Sequence, residues 1–257
     1  MSTPVVTVAA GGLPIVDMGT GKLGLPVTEA TNGRGIAVTK VVGMPGLPVV
    51  FDTIGVGPGP VTNATLDPAT VTAVTLSGGN LVATNTGTTS ADQGARVATV
   101  NAKTSGKYYF EVTFTAGVLG NNIGIGIGTT ASTYTGMGSG GTTGIELYKT
   151  NTVWSNGSNV ATFSGGTWVV SQVAGFAVDL DNRRFWVSTP SGVWNDNVAN
   201  NPATNVGGLT IPAGTMVPFV TFGGAGGAAN NKLTVNFGAS AFVRAVPAGF
   251  TSGWPTP

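Results

Sequence analysis

From about Val61 onward the chain runs in short stretches of alternating apolar and polar residues separated by turn chemistry, and no stretch sustains the 3.6-residue period of an amphipathic helix. In Lys107-Tyr-Tyr-Phe-Glu-Val-Thr-Phe114 the side chains of Tyr108, Phe110, Val112 and Phe114 share one face at the strand period of two. Along 173–188 the residues Phe176, Val178 and Leu180 fall on one face and Ala177 and Asp179 on the other, with the pattern resuming through Phe185 and Val187. Asp181-Asn182 sits at the reversal, where residues tolerant of a left-handed backbone are wanted. The same reading predicts strands at 71–76, 80–84, 95–101, 107–115, 122–128, 145–149, 153–154, 173–181, 183–188, 216–222 and 233–237, with Ser77-Gly-Gly-Asn80 as a hairpin turn. Many short strands at this spacing predict an all-β fold, a β-sandwich or jelly roll over residues 61–257.

Residues 1–60 follow a different pattern. A unit of Gly, an aliphatic residue, Pro or Ala, then Val or Ile occurs as Gly12-Leu13-Pro14-Ile15, Gly24-Leu25-Pro26-Val27, Gly35-Ile36-Ala37-Val38 and Gly46-Leu47-Pro48-Val49, at intervals of 12, 11 and 11 residues. Proline cannot donate to a sheet ladder, so these units predict extended or edge segments and not the central strands of a sheet of their own. Units this short cannot each bury a hydrophobic face. The expectation is an extended N-terminal arm, with Leu13, Pro14, Leu25, Pro26, Ile36, Leu47 and Pro48 as its anchoring residues, ordered against a sister subunit or a larger shell. The bland alternative is a flexible leader. Gly55-Val-Gly-Pro-Gly-Pro60 has the composition of a hinge.

Composition narrows the chemistry. The 257 residues include 42 Gly, no Cys and no His, and 8% are charged, against roughly 25% in ordinary soluble domains. The commonest acid-base group and metal ligand is missing, as are thiolate nucleophiles, disulfides and zinc-thiolate sites. Eleven basic and ten acidic residues give a formal net charge of +1 without clustering of either sign, so no nucleic-acid partner is expected. Abundant Gly, Thr, Asn and Val with few charges predict β structure in a dense assembly, most simply a homo-oligomer such as a trimer. No run of about 18 apolar residues is present, so no membrane insertion is expected. The opening residues carry neither a basic n-region nor an apolar h-region, so no standard signal peptide is expected.

Taken in order, Gly106-Lys-Tyr-Tyr-Phe-Glu-Val112, Ile123-Gly-Ile-Gly-Ile-Gly128, Gly175-Phe-Ala-Val-Asp-Leu-Asp-Asn182 with Phe185-Trp-Val-Ser188, Asn201-Pro202, Pro218-Phe219-Val220 and Val235-Asn-Phe-Gly238 resemble the SPRY domain, a concanavalin A-like β-sandwich. Phe242-Val-Arg-Ala-Val-Pro-Ala-Gly-Phe250 with Trp254 also looks like the end of such a domain. The landmarks span residues 75–254, about 70% of the chain, and are weak singly but specific as an ordered set. The stretch 129–144 is Gly/Ser/Thr-rich, so the family's loop-borne binding surface does not carry over. The resemblance implies a non-enzymatic binding module whose loops recognise a protein or glycan. A repeat arm ahead of a low-charge sandwich looks, further, like structural proteins of tailed-bacteriophage virions. It implies a head decoration, fibre or tail-surface protein that contacts other virion proteins through its arm and attaches to a host surface glycan. A soluble bacterial lectin or adhesin is the alternative.

Aromatic side chains are the residues with the best claim on a ligand, because their faces suit the apolar face of a hexose. Trp154 and Trp194 lie beside Ser155-Asn-Gly-Ser158 and Asn195-Asp-Asn197, which favours exposure, and with Tyr134 they form the expected ligand-binding set. Trp168, Trp186 and Tyr148 are weaker candidates, and Trp186 is expected in the core. Asp179 and Asp181 are two apart on one strand, roughly 7 Å, a spacing seen in glycoside hydrolysis, but turn-setting explains them better. Arg183 and Arg184 follow the reversal in alternation, so one of them is expected to face solvent, within reach of Asp179 or Asp181. Gly19-Thr-Gly-Lys-Leu-Gly24 and Gly136-Met-Gly-Ser-Gly-Gly141 spell G-x-G-x-x-G without opening a helix in a βαβ unit. Asn195 to Asn201 holds a single acid, Asp196, a poor calcium loop. No catalytic residue, metal or cofactor is expected.

Overall fold

The alternation is realised as two antiparallel sheets packed face to face in a computed structural model of the chain. It describes residues 62–87, 93–116, 122–132, 134, 143–164, 167–223 and 229–257, together with the strands β1 (Val5–Val8) and β2 (Pro14–Asp17). The chain divides into Met1–Val61 and Thr62–Pro257.

In the first unit β1 pairs with β2 antiparallel, Val8 opposite Pro14 and Val5 opposite Asp17. Both strands of such a ribbon are edges, which is where a ladder tolerates proline. Pro14 is the one anchoring candidate inside a described strand. Leu13, Leu25, Pro26, Ile36, Leu47 and Pro48, the Gly55–Pro60 hinge and both G-x-G-x-x-G segments lie outside the described residues.

The second unit contributes β3 (Val74–Ser77), β4 (Val82–Asn85), β5 (Gln93–Arg96), β6 (Lys107–Ala116), β7 (Asn122–Thr129), β8 (Gly144–Tyr148), β9 (Thr152–Ser155), β10 (Ser158–Thr162), β11 (Val173–Asp179), β12 (Arg184–Ser188), β13 (Leu209–Thr210), β14 (Met216–Gly223), β15 (Lys232–Asn236) and β16 (Thr251–Ser252). One sheet has the order β10-β9-β8-β7-β14-β5. The other runs β13-β12-β11-β6-β15-β4-β3, with β16 added parallel to the start of β6. The strands β10, β13 and β16 escaped the sequence reading, because β10 buries no face of its own and β13 and β16 have two residues each.

Between the sheets, Ile123, Ile125 and Ile127 of β7 and Ile145 and Leu147 of β8 meet Phe110, Val112 and Phe114 of β6 and Phe176 and Val178 of β11, all buried. The Phe110 and Phe176 rings stack 5.0 Å apart. Trp168 stacks on Phe114 at 5.4 Å and is fully buried, so it is a core residue and presents no face to a ligand.

Two local expectations need correcting. The β11–β12 reversal takes its left-handed residue at Arg183, with φ of 53°, not at Asp181 or Asn182. Nor does either arginine pair with an aspartate: Arg183 donates to the carbonyls of Pro212 and Gly214, and Arg184 to the Gly208 carbonyl and the Thr210 hydroxyl. The cation that meets Asp179 is Lys107, at 3.0 Å, because the antiparallel register puts these two residues opposite each other.

Candidate ligand-binding surface

Each sheet has an outer face, and the sequence candidates distribute over both. On the six-stranded sheet the register aligns Trp154, Glu146, Gly126, Phe219 and Arg96 in one row across β9, β8, β7, β14 and β5. A second row holds Tyr148, Gly124, Thr221 and Gly94. Val153 points into the core, so its neighbour Trp154 points out. Trp154 is half-buried, stands edge-on to Tyr148 at 6.3 Å and donates its indole N–H to the Thr152 hydroxyl at 3.2 Å.

Tyr134 rests at the other end of this face. A Cβ on Gly94 would strike its ring at 2.8 Å, and its hydroxyl donates to the Thr70 carbonyl. Burial raises this hydroxyl above its ordinary pKa, against the opposing effects of the Thr70 bond and Arg96. From β9 to β5 is four interstrand steps, about 19 Å at the usual spacing.

Trp194 belongs to the opposite outer face. There Tyr109, Ala177 and Trp186 are fully buried in a second apolar cluster, covered by Trp194, Phe242, Val246 and Phe250. Tyr109 meets Phe242 at 5.0 Å and Trp194 at 6.4 Å, both edge-on. Trp186 is buried, but under this C-terminal covering and not between the sheets, and its indole N–H donates to the Val206 carbonyl at 2.8 Å. The three expected ligand residues therefore do not converge. Trp154 and Tyr134 lie at opposite ends of one face, and Trp194 packs on the other sheet.

Two buried carboxylates organise these faces, and the sequence reading passed over both. Glu111 accepts from the backbone N–H groups of Val243 and Arg244 and from the Tyr109 hydroxyl, each at 2.8 Å. It thereby clasps the C-terminal covering to β6. Burial, then the bond to Glu111 and its charge, drive the Tyr109 hydroxyl far above its ordinary pKa. Glu146 lies across the glycine row of β7 and accepts from the Thr221 hydroxyl at 3.1 Å. Gly124 has no Cβ to meet this pair. The alternation of Ile with Gly in 123–128 is the visible signal for that close approach.

Asp179 and Asp181 are structural. Asp179 is fully buried and accepts from the Asn182 backbone and side-chain N–H groups at 2.9 and 2.8 Å. Burial pushes its carboxyl upward, but the two Asn182 bonds and Lys107 together outweigh that and hold it below the usual range. Asp181 accepts from the Gly106 N–H at 2.8 Å. Asp196 accepts from the N–H and hydroxyl of Ser164, and Asn195 is spent on Val187, Phe185 and Gly207. Among the described residues no group of three or more acidic side chains gathers.

A cleft of about 370 Å³ opens where the free ends of the two sheets meet. One wall is the β9–β10 hairpin, with Ser155, Asn156 and Val160, and the other is Leu209, Thr210 and Pro212 around β13. The hairpin turn at Asn156-Gly157 has φ of 48° and 79°, the pair of positive angles that an Asn-Gly turn adopts readily.

This arrangement of sheets recurs among solved structures. The SPRY domain of human HERC1 aligns with a TM-score of 0.50 at 12% identity, covering 66% of this chain and 96% of that domain. The sandwich has the SPRY fold. Other SPRY structures align more loosely: a human SPRY domain at a TM-score of 0.45 and 12% identity, covering 66% of this chain and 99% of that one, and the TRIM65 PSpry domain at 0.44 and 16%, covering 68% and 92%. No protein-family model and no curated protein matches the sequence. The ordered landmarks from Gly106 to Trp254 thus marked a SPRY fold, and at this identity the likeness speaks for the fold alone.

Proposed function

We propose that this chain is a non-enzymatic structural protein of a bacteriophage virion, a head decoration, fibre or tail-surface component in which a SPRY-fold sandwich is displayed for attachment. In this reading residues 1–60 anchor the protein to other virion proteins and the chain assembles as a homo-oligomer, most simply a trimer, during assembly in the host cytoplasm. The observation that carries it is the joining, in one chain, of four Gly-aliphatic-Pro/Ala-Val/Ile units at 11- to 12-residue intervals to a sandwich with 8% charged residues overall. Repeated short extended segments gain order from a scaffold that presents repeated partners, and a surface so poor in charge suits dense packing. Attachment to a host surface glycan is the role assigned to the displayed sandwich.

The test is limited proteolysis of the full chain, free and in purified particles, read by intact mass. The expected result is cleavage near Gly55–Pro60 in the free protein and protection in the particle. Equal protection in both states would refute the anchoring arm, and a monomer in native mass measurement would favour a free-standing lectin or adhesin.

A further inference from the structure

We propose that the cleft between the β9–β10 hairpin and the β13 segment is a binding site for a short neutral saccharide, an assignment that rests on reading the sandwich as an attachment module. Its volume, about 370 Å³, lies at the lower end of ligand pockets. None of its lining side chains is ionisable. They divide into hydroxyl and amide groups (Ser155, Asn156, Thr210) and apolar ones (Val160, Leu209, Pro212). A pyranose divides in the same way, into hydroxyl edges and an apolar C–H face, whereas a carboxylated or phosphorylated ligand would find no cation in the lining.

Both walls are held in place before any ligand arrives. Arg184 fastens Gly208 and Thr210, and Arg183 fastens Pro212 and Gly214, through the four hydrogen bonds described above. The opposite wall is set by the Asn156-Gly157 turn. Among the described residues no hydrogen bond engages the Asn156 side-chain amide or the Ser155 hydroxyl, which leaves them to a ligand, while the Asn156 backbone N–H is tied to the Gly144 carbonyl at 3.4 Å. Val160 is 44% exposed, a large apolar side chain at the cleft mouth.

The cleft also lies between two sheet edges, where an added peptide strand is the competing occupant. Two features work against it. The β9–β10 register breaks between Asn159 and Ala161, so Val160 bulges from the ladder and interrupts the row of outward backbone groups a strand would need. The facing strand β13 has two residues, too few to hold a partner strand. A saccharide needs no such row.

Trp154 does not line this cleft, since it projects from the face of β9 opposite to Ser155. The experiment exploits that separation. The full chain is applied to an array of neutral hexose and N-acetylhexosamine oligosaccharides beside sialylated and uronate ones, and the preferred glycan is titrated by calorimetry. Val160→Glu, at an exposed position, and Thr210→Val are expected to weaken Kd by about tenfold or more. Trp154→Ala, Trp194→Ala and the control Val100→Glu, placed beyond the opposite edge of the sheet, are expected to leave it unchanged. Glycan binding lost in the tryptophan variants and kept in Val160→Glu would overturn the cleft while leaving glycan attachment standing. A preference for acidic glycans, or binding of unstructured peptide in place of any glycan, would overturn the ligand class. Silence on every array overturns the site too, whereas the virion reading stands or falls separately on the presence of the chain in purified particles.

Discussion

Replacing Glu111 by Ala should release the C-terminal covering from the outer face of its sheet. The carboxylate is 2% exposed and accepts three hydrogen bonds, from Val243 N–H, Arg244 N–H and the Tyr109 hydroxyl. Bonds to a charged acceptor contribute about 1.5 to 3 kcal/mol each, and buried donors left without an acceptor cost about 1 to 3 kcal/mol. Val243 is 73% exposed and Arg244 half-buried, so the two backbone donors recover some of that from water, and the expected net loss is about 3 to 5 kcal/mol. Guanidinium unfolding of the full chain measures it, and hydrogen exchange locates it. Protection should fall at residues 242–250, which hold Phe242, Val246 and Phe250 on Tyr109 and Trp186, before it falls in β6. Tyr109→Phe removes one donor and keeps the ring, so it should cost about 1 kcal/mol and couple to Glu111→Ala in a double-mutant cycle. A loss below about 1 kcal/mol for Glu111→Ala, or a uniform fall in protection across the sandwich, would refute the clasp.

Gly126→Ala places a Cβ against the Ile145 carbonyl and the Glu146 backbone of the neighbouring strand; overpacking of this kind should lower stability by about 1 to 3 kcal/mol in denaturant titration. Asp179→Asn should cost about 2 kcal/mol near neutral pH by placing a donor against Asn182 and Lys107. Because Asp179 is held below its unfolded pKa, its contribution is complete above about pH 4 and disappears as pH falls through the native value. The gap between wild type and variant should therefore narrow below about pH 4 in a pH series of thermal melts, and a gap that widened on acidification would contradict the assignment. Trp254→Phe removes the bond from its buried indole N–H to the Asn101 carbonyl, at 2.8 Å, and should lower the unfolding midpoint by an amount corresponding to about 1 to 3 kcal/mol.

Much of this protein is written in short-range pattern. The period of two places Phe110, Val112 and Phe114 on one face of β6 and Phe176 and Val178 on one face of β11, because a pleated backbone has no other way to sort its side chains. Glycines and asparagines mark its reversals at Ser77–Asn80 and Asn156–Gly157, because the left-handed backbone excludes most other residues there. The order of these pieces was enough to point to a SPRY fold. What lies on the outer faces was not legible in this way. Alternation says that Tyr109 and Glu111 point away from the core, and a residue that points away from a core reads as solvent-facing. Only the return of residues 242–250, over 130 positions later than Tyr109, covers them and turns Glu111 from a surface charge into a buried clasp. Distance in sequence also separates the two walls of the cleft from any local signal: Val160 and Thr210 are 50 residues apart and meet because β10 and β13 are the last strands of sheets that pack together. Local sequence decides which way a side chain points, and tertiary structure decides what it finds there, since burial is a property of the segments that arrive from elsewhere in the chain.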